Sequence, residues 1–227
     1  MVDHFAKLGI QRRPWLDIDH LKQRFHQLSI EIHPDRTLDH ADDIKNDNQQ
    51  EFISINSAFQ CLSDTKSRVR HLLEIEMGHT SKNVQSIPSE MTDWFTEISL
   101  VCSKVDLFLK KKEEQTSPML QVILMEEGVL LNDEVSEMHQ KLQIELKKLN
   151  DALKLLNSKW DQIGEDSEGR EDKLPLSELD SISQRLSFWV KWSSQLGERS
   201  GRLMFCCLLY TSPSPRDATL SRMPSSA

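Results

Sequence analysis

From Leu131 to Ile163 an apolar residue falls at every third or fourth position without a break, through Val135, Met138, Leu142, Leu149 and Trp160. An α-helix turns once per 3.6 residues, so this spacing lays one apolar stripe along one long helix. A half-buried strand would need strict alternation instead. Two other stretches carry the same period. One starts after Ser89, a residue able to cap a helix, and runs through Met91, Trp94, Phe95, Ile98, Val101 and Val105. The other runs from Leu176 through Ile182 and Trp189 to Leu196. Three amphipathic helices bury their stripes against each other or against a partner, and a three-helix bundle does so with short connections. The segment 110–114, Lys-Lys-Lys-Glu-Glu, reads as a solvated helix end, Pro118 as a break or restart, and residues 164–173 as a charged loop.

The N-terminal part has its own pattern. A short helix is expected over His4 to Leu8, ended by Gly9. Asp17 or Asp19 can cap the next helix, because a short carboxylate accepts the free amides of a first turn. Ile18, Leu21, Phe25, Leu28 and Ile32 then give it one apolar face. Pro34 stops it, since proline disfavours helical geometry at His33 and donates no backbone hydrogen bond. A polar loop, 36–48, follows. A further helical stretch, Glu51 to Leu73, carries Phe52, Ile55, Phe59 and Leu62 at helical spacing. Two such helices pair antiparallel and hold the intervening loop as a projection. On that loop Pro34 restricts the backbone, and His33 and Asp35 offer a donor and an acceptor to a partner. No phosphate-binding glycine loop and no acid–base or nucleophile constellation is placed by a motif, so docking suits this chain better than catalysis.

The chain is therefore expected to be all-α: a helical hairpin over 1–76, a linker at 77–88 holding Gly78 and Pro88, and a bundle over 89–206. Residues 207–227 resemble a translated sequencing adapter and are expected to be foreign to the natural chain. The formal net charge is −8, and removing that tail's two arginines and one aspartate makes it −9. This balance disfavours general nucleic-acid binding, which needs clustered Lys and Arg. No segment reaches the length of an apolar membrane span, and no apolar leader opens the chain, so a cytoplasmic protein is expected. Cys61, Cys102 and Cys206 form no paired framework. Cys61 and Cys102 read as small apolar residues on helix faces. His40, among Asp39, Asp42 and Asp43, reads as part of a solvated loop. No metal and no cofactor is expected.

The order helix, His33-Pro34-Asp35, loop, helix resembles the J-domain, the module that drives ATP hydrolysis in chaperones of the heat-shock-70 family. The resemblance covers residues 3–73. Phe25-His-Gln-Leu-Ser-Ile-Glu-Ile-His-Pro-Asp35 is similar to the family's second helix and loop, and Ile55-Asn-Ser-Ala-Phe-Gln-Cys-Leu-Ser-Asp64 to its third helix. It implies that His33, Pro34 and Asp35 dock at the junction of the chaperone's ATPase domain and interdomain linker. It gives Lys22, Arg24 and His26 a steering role toward an acidic chaperone surface. Arg36 keeps the charge of the commoner lysine, whereas Glu31 departs from the basic pattern.

Asp3-His-Phe-Ala-Lys-Leu-Gly-Ile10 resembles the N-terminal signature of the HscB family, the J-proteins of iron–sulfur cluster assembly. Gln184-Arg-Leu-Ser-Phe-Trp-Val-Lys-Trp192 resembles that family's last helix. The likeness implies a co-chaperone that stimulates the chaperone's ATPase and delivers to it an iron–sulfur cluster scaffold protein. It assigns scaffold contact to Phe188 and to Met91, Trp94, Phe95, Glu97 and Ile98. The acidic run usual after these last five is absent here. Two other readings remain open: a J-domain co-chaperone with another client in protein folding or quality control, and a structural protein that dimerises through the long stripe.

Overall fold

The computed structural model describes residues 2–32, 42–78, 87–115, 117–165, 167 and 169–208. The described residues are helical with no strand, in the order α1 (His4–Leu8), α2 (Ile18–Ile32), α3 (Asp42–Ser63), α4 (Thr65–Met77), α5 (Thr92–Glu114), α6 (Pro118–Asp161), α7 (Arg170–Lys173) and α8 (Leu176–Leu208). Contacts within the chain gather into two compact units. One joins Met1–Gln85 with Glu145–Val190, and the other joins Ser86–Ile144 with Lys191–Ala227.

In the first unit, Asp3 opens α1, its Oδ1 accepting the amides of Phe5 and Ala6 at 2.9 and 3.1 Å. Its Oδ2 takes the Arg12 guanidinium at 2.7 Å. Gly9 closes α1 in the left-handed region at φ 62°, where glycine carries no Cβ penalty. Asp17, not Asp19, caps α2: its Oδ1 accepts the amide of Asp19 at 2.9 Å. Leu21 is fully buried and Phe25 stacks on Phe59 with centroids 4.3 Å apart, which seats α2 against α3. Ile18, expected on the buried face, is exposed at the first turn of α2.

The expected helix Glu51–Leu73 is two helices. Asp64 interrupts it in an extended conformation, φ −84° and ψ 117°, and its carboxylate accepts the Ser67 amide at 2.9 Å. The buried Arg68 completes the corner by donating to the Leu62 carbonyl at 2.7 Å and the Pro14 carbonyl at 3.2 Å. Burial brings the Arg68 guanidinium down to about 10, so it stays charged at neutral pH. The N-terminal bound also moves: α3 begins at Asp42, inside the stretch read as loop. Likewise the loop 164–173 contains α7. Arg170 at its start is buried, with its Nε 2.9 Å from Glu76 Oε2 and its Nη2 3.1 Å from Glu76 Oε1.

In the second unit α5, α6 and α8 pack pairwise, as a three-helix bundle requires. Lys111 of α5 meets Glu127 of α6 at 2.7 Å, and Arg199 of α8 meets Asp106 of α5 at 2.7 Å. His139 of α6 lies 2.8 Å from the Ser193 hydroxyl of α8. Val101, Val105, Val135, Leu142, Leu196 and Leu203 are buried there. The α6 stripe continues into the first unit, where Leu149, Leu153, Leu156 and Trp160 are buried. Ser89 does not cap α5. It opens a 3-10 turn, Ser89–Met91, and α5 follows with no side-chain cap. No described helix is long and apolar enough to cross a membrane.

Candidate functional site

The expected docking tripeptide, His33-Pro34-Asp35, and the adjoining Arg36 lie outside the described residues. Its supports are described. Arg24 is half-buried and donates its Nε to the Leu8 carbonyl at 3.0 Å, locking α2 onto the C-terminus of α1. A Cβ on Gly9 would sit 3.1 Å from Arg24 Nη2, so the glycine and the arginine fit as a pair. Lys22 and His26 are exposed, and Lys22 pairs only loosely with Asp19, at 3.5 Å one turn away. Lys22 and His26 thus present polar heads to solvent, while Arg24 works mainly as a brace.

The second group of expected site residues divides by burial. Met91 and Ile98 are each 2 % exposed and belong to the bundle interior. Phe95 is 43 % exposed and Glu97 is exposed, while Trp94 is half-buried. Phe95 and Trp192 lie with ring centroids 6.4 Å apart, so the exposed ring has an aromatic neighbour. Phe188, on α8 in the first unit, is half-buried. An outward aromatic backed by buried side chains is the kind of anchor on which protein interfaces concentrate their binding energy.

One surface escaped the sequence reading. Between α5 and α6 runs a groove of about 420 Å³ lined by Leu107, Phe108, Leu130 and Leu131, and edged by Lys104, Lys111, Glu127 and Glu134. Leu107 and Leu130 are strongly exposed, as are Met119, Val122 and Ile123 near the start of α6. Apart from Leu131, these apolar side chains fall outside the stripes that helical spacing picks out, and only packing shows which are left open.

Residues 3–71 match the family model described as the DnaJ domain. Over 68 residues the chain is 35 % identical to the adaptation to cold protein J of Shewanella oneidensis, covering 30 % of this chain and 70 % of that one. Over 162 residues it is 25 % identical to the co-chaperone protein HscB homolog of Shewanella baltica, covering 62 % of this chain and 93 % of the relative. The chain is a J-domain co-chaperone of HscB type. The crystal structure of human co-chaperone protein HscB shares its fold, with a TM-score of 0.56 at 15 % identity over 88 % of this chain and 82 % of that one. At 62 % of this chain, the longer match extends well beyond the J-domain.

Proposed function

We propose that this HscB-type co-chaperone stimulates the ATPase of a heat-shock-70-family chaperone and delivers an iron–sulfur cluster scaffold protein to it. The observation that carries the reading is the joint match: a DnaJ domain at residues 3–71, containing His33-Pro34-Asp35, within a chain that covers 93 % of an HscB homolog. In this reading residues 1–76 act on the chaperone and residues 89–206 hold the client. His33, Pro34 and Asp35 dock, and Lys22 and His26 steer a basic face to the chaperone. Phe95, Trp94 and Glu97 contact the scaffold from α5, Met91 and Ile98 support them from beneath, and Phe188 contributes from α8. The protein acts by docking in the cytoplasm, without chemistry of its own and without nucleic acid.

A second reading keeps the J-domain and changes the client to unfolded protein. The burial of Met91 and Ile98 favours it, because that leaves a smaller ridge for a dedicated scaffold. Titration calorimetry with a cluster scaffold separates the two. Direct binding, weakened about tenfold or more by Trp94→Ala or Phe188→Ala, is expected for interface anchors. Binding that neither variant alters would discard the assigned surface, and capture of unfolded clients without scaffold binding would select the second reading.

A further inference from the structure

We propose that His4, Cys61 and His71 form a binding site for a zinc ion. One ring nitrogen of each histidine and the Cys61 sulfur all lie within 4.8 Å of one another. The three come from different elements: the first residue of α1, the last turn of α3 and the middle of α4. All three helices lie in the same compact unit. Two imidazoles and a thiol are the donor set that suits a borderline ion such as zinc, and not the oxygen-seeking calcium or magnesium.

The surroundings favour this use over simple packing. The Nδ1 of His4 is buried and has no hydrogen-bond partner among the described residues. A buried ring nitrogen without a partner is costly, and coordination or its hydrogen-bonded equivalent removes that cost. The two rings lie with centroids 4.4 Å apart, and Phe5 stacks on His71 with centroids 6.0 Å apart. Burial, reinforced by His4, brings His71 down to about 4, and burial also lowers His4. Both rings are therefore neutral at pH 7, with a lone pair to donate. Burial pushes the Cys61 thiol up, so the free protein carries it protonated. Zinc displaces that proton to solvent and binds the thiolate.

Binding brings adjustments, the first being that Cys61 Sγ gives up its hydrogen bond to the Ser67 carbonyl, at 3.9 Å, as the thiol loses its proton. Around a tetrahedral zinc, neighbouring ligand atoms stand roughly 3.3–3.8 Å apart, so the cluster contracts by about 1 Å. The His71 Nε2 also accepts the His4 amide at 3.1 Å, a bond that coordination replaces. That amide belongs to the first turn of a helix, where water can serve it. With three protein donors, the fourth position falls to water. No spaced metal motif announces the site, because its members stand far apart in the chain.

The test uses the full chain, reduced and stripped with chelator, titrated with cobalt(II) as the spectroscopic stand-in and then with zinc. One equivalent of cobalt should produce a sulfur-to-metal charge-transfer band in the near ultraviolet and four-coordinate bands in the visible. One equivalent of zinc should abolish both and raise the thermal midpoint. Cys61→Ser should remove the near-ultraviolet band and weaken zinc binding on the order of 100-fold, while Cys102→Ser leaves both unchanged. His4→Gln spares the Asp3 and Gly9 caps of α1 and should weaken zinc about tenfold or more, with helical circular dichroism retained. A wild-type chain without the sulfur band, or a band and zinc affinity that survive Cys61→Ser, would overturn the site.

Discussion

Glu76 and Arg170 show what a single pair contributes. Their side chains are 3 % and 8 % exposed, and the guanidinium also donates to the Gly164 carbonyl at 2.8 Å. Removing one member strands a charge away from water, which typically costs 3–5 kcal/mol. Glu76→Ala should therefore lower stability to urea by about 3 kcal/mol or more. A double-mutant cycle with Arg170→Met should show strong coupling, and additive losses would rule the pair out as a unit. Nothing in the sequence pointed to it, because a glutamate at the end of a helix and an arginine in a charged loop both read as solvated. Gly9 is the opposite case. A glycine after a short apolar helix announces its left-handed cap, and φ 62° agrees. Gly9→Ala places a Cβ in that region and against Arg24, so a loss of roughly 1–2 kcal/mol is expected, read from the same unfolding curves.

At the scale of elements, apolar spacing located α2, α5, α6 and α8, because burial on one face imposes the helical period directly on the residues. It did not find the break at Asp64. The stripe runs through that corner with Phe59, Leu62, Val69 and Leu72 on either side, so periodicity sees one helix where there are two. The clue was local: a serine–aspartate–threonine run able to cap a new helix. Asp64→Ala removes the acceptor of the Ser67 amide and should cost about 1 kcal/mol, the usual worth of such a cap. Arg68→Met should cost more, since it strands the Leu62 and Pro14 carbonyls in a buried corner. If thermal denaturation ranked these two in reverse, the corner would depend on the cap and not on the arginine. The same blindness affected the bundle. Met91, Trp94, Phe95 and Ile98 share one sequence pattern, yet the fold buries Met91 and Ile98 and turns Phe95 outward.

For the whole molecule, fold class and family were legible for different reasons. Helical class follows from a stripe that no strand could accommodate. Family follows from short motifs at both ends, His33-Pro34-Asp35 within the J-domain and Gln184 to Trp192 on α8, in the order a known architecture uses. The grouping of contacts was not legible: residues 145–190 gather with the N-terminal helices, although chain order places them after the bundle begins. Long helices that serve two units look the same in sequence as helices that serve one. The functional reading rests on the tripeptide as a docking element. Single-turnover ATP hydrolysis by a heat-shock-70-family chaperone, with and without this chain, measures that directly. The wild-type chain should accelerate hydrolysis at least several-fold, the range expected when binding favours the hydrolysing conformation by about 1–3 kcal/mol. His33→Gln should abolish the acceleration with its helical circular dichroism unchanged. Equal stimulation by the two proteins, or none by the wild type, would contradict a J-domain role.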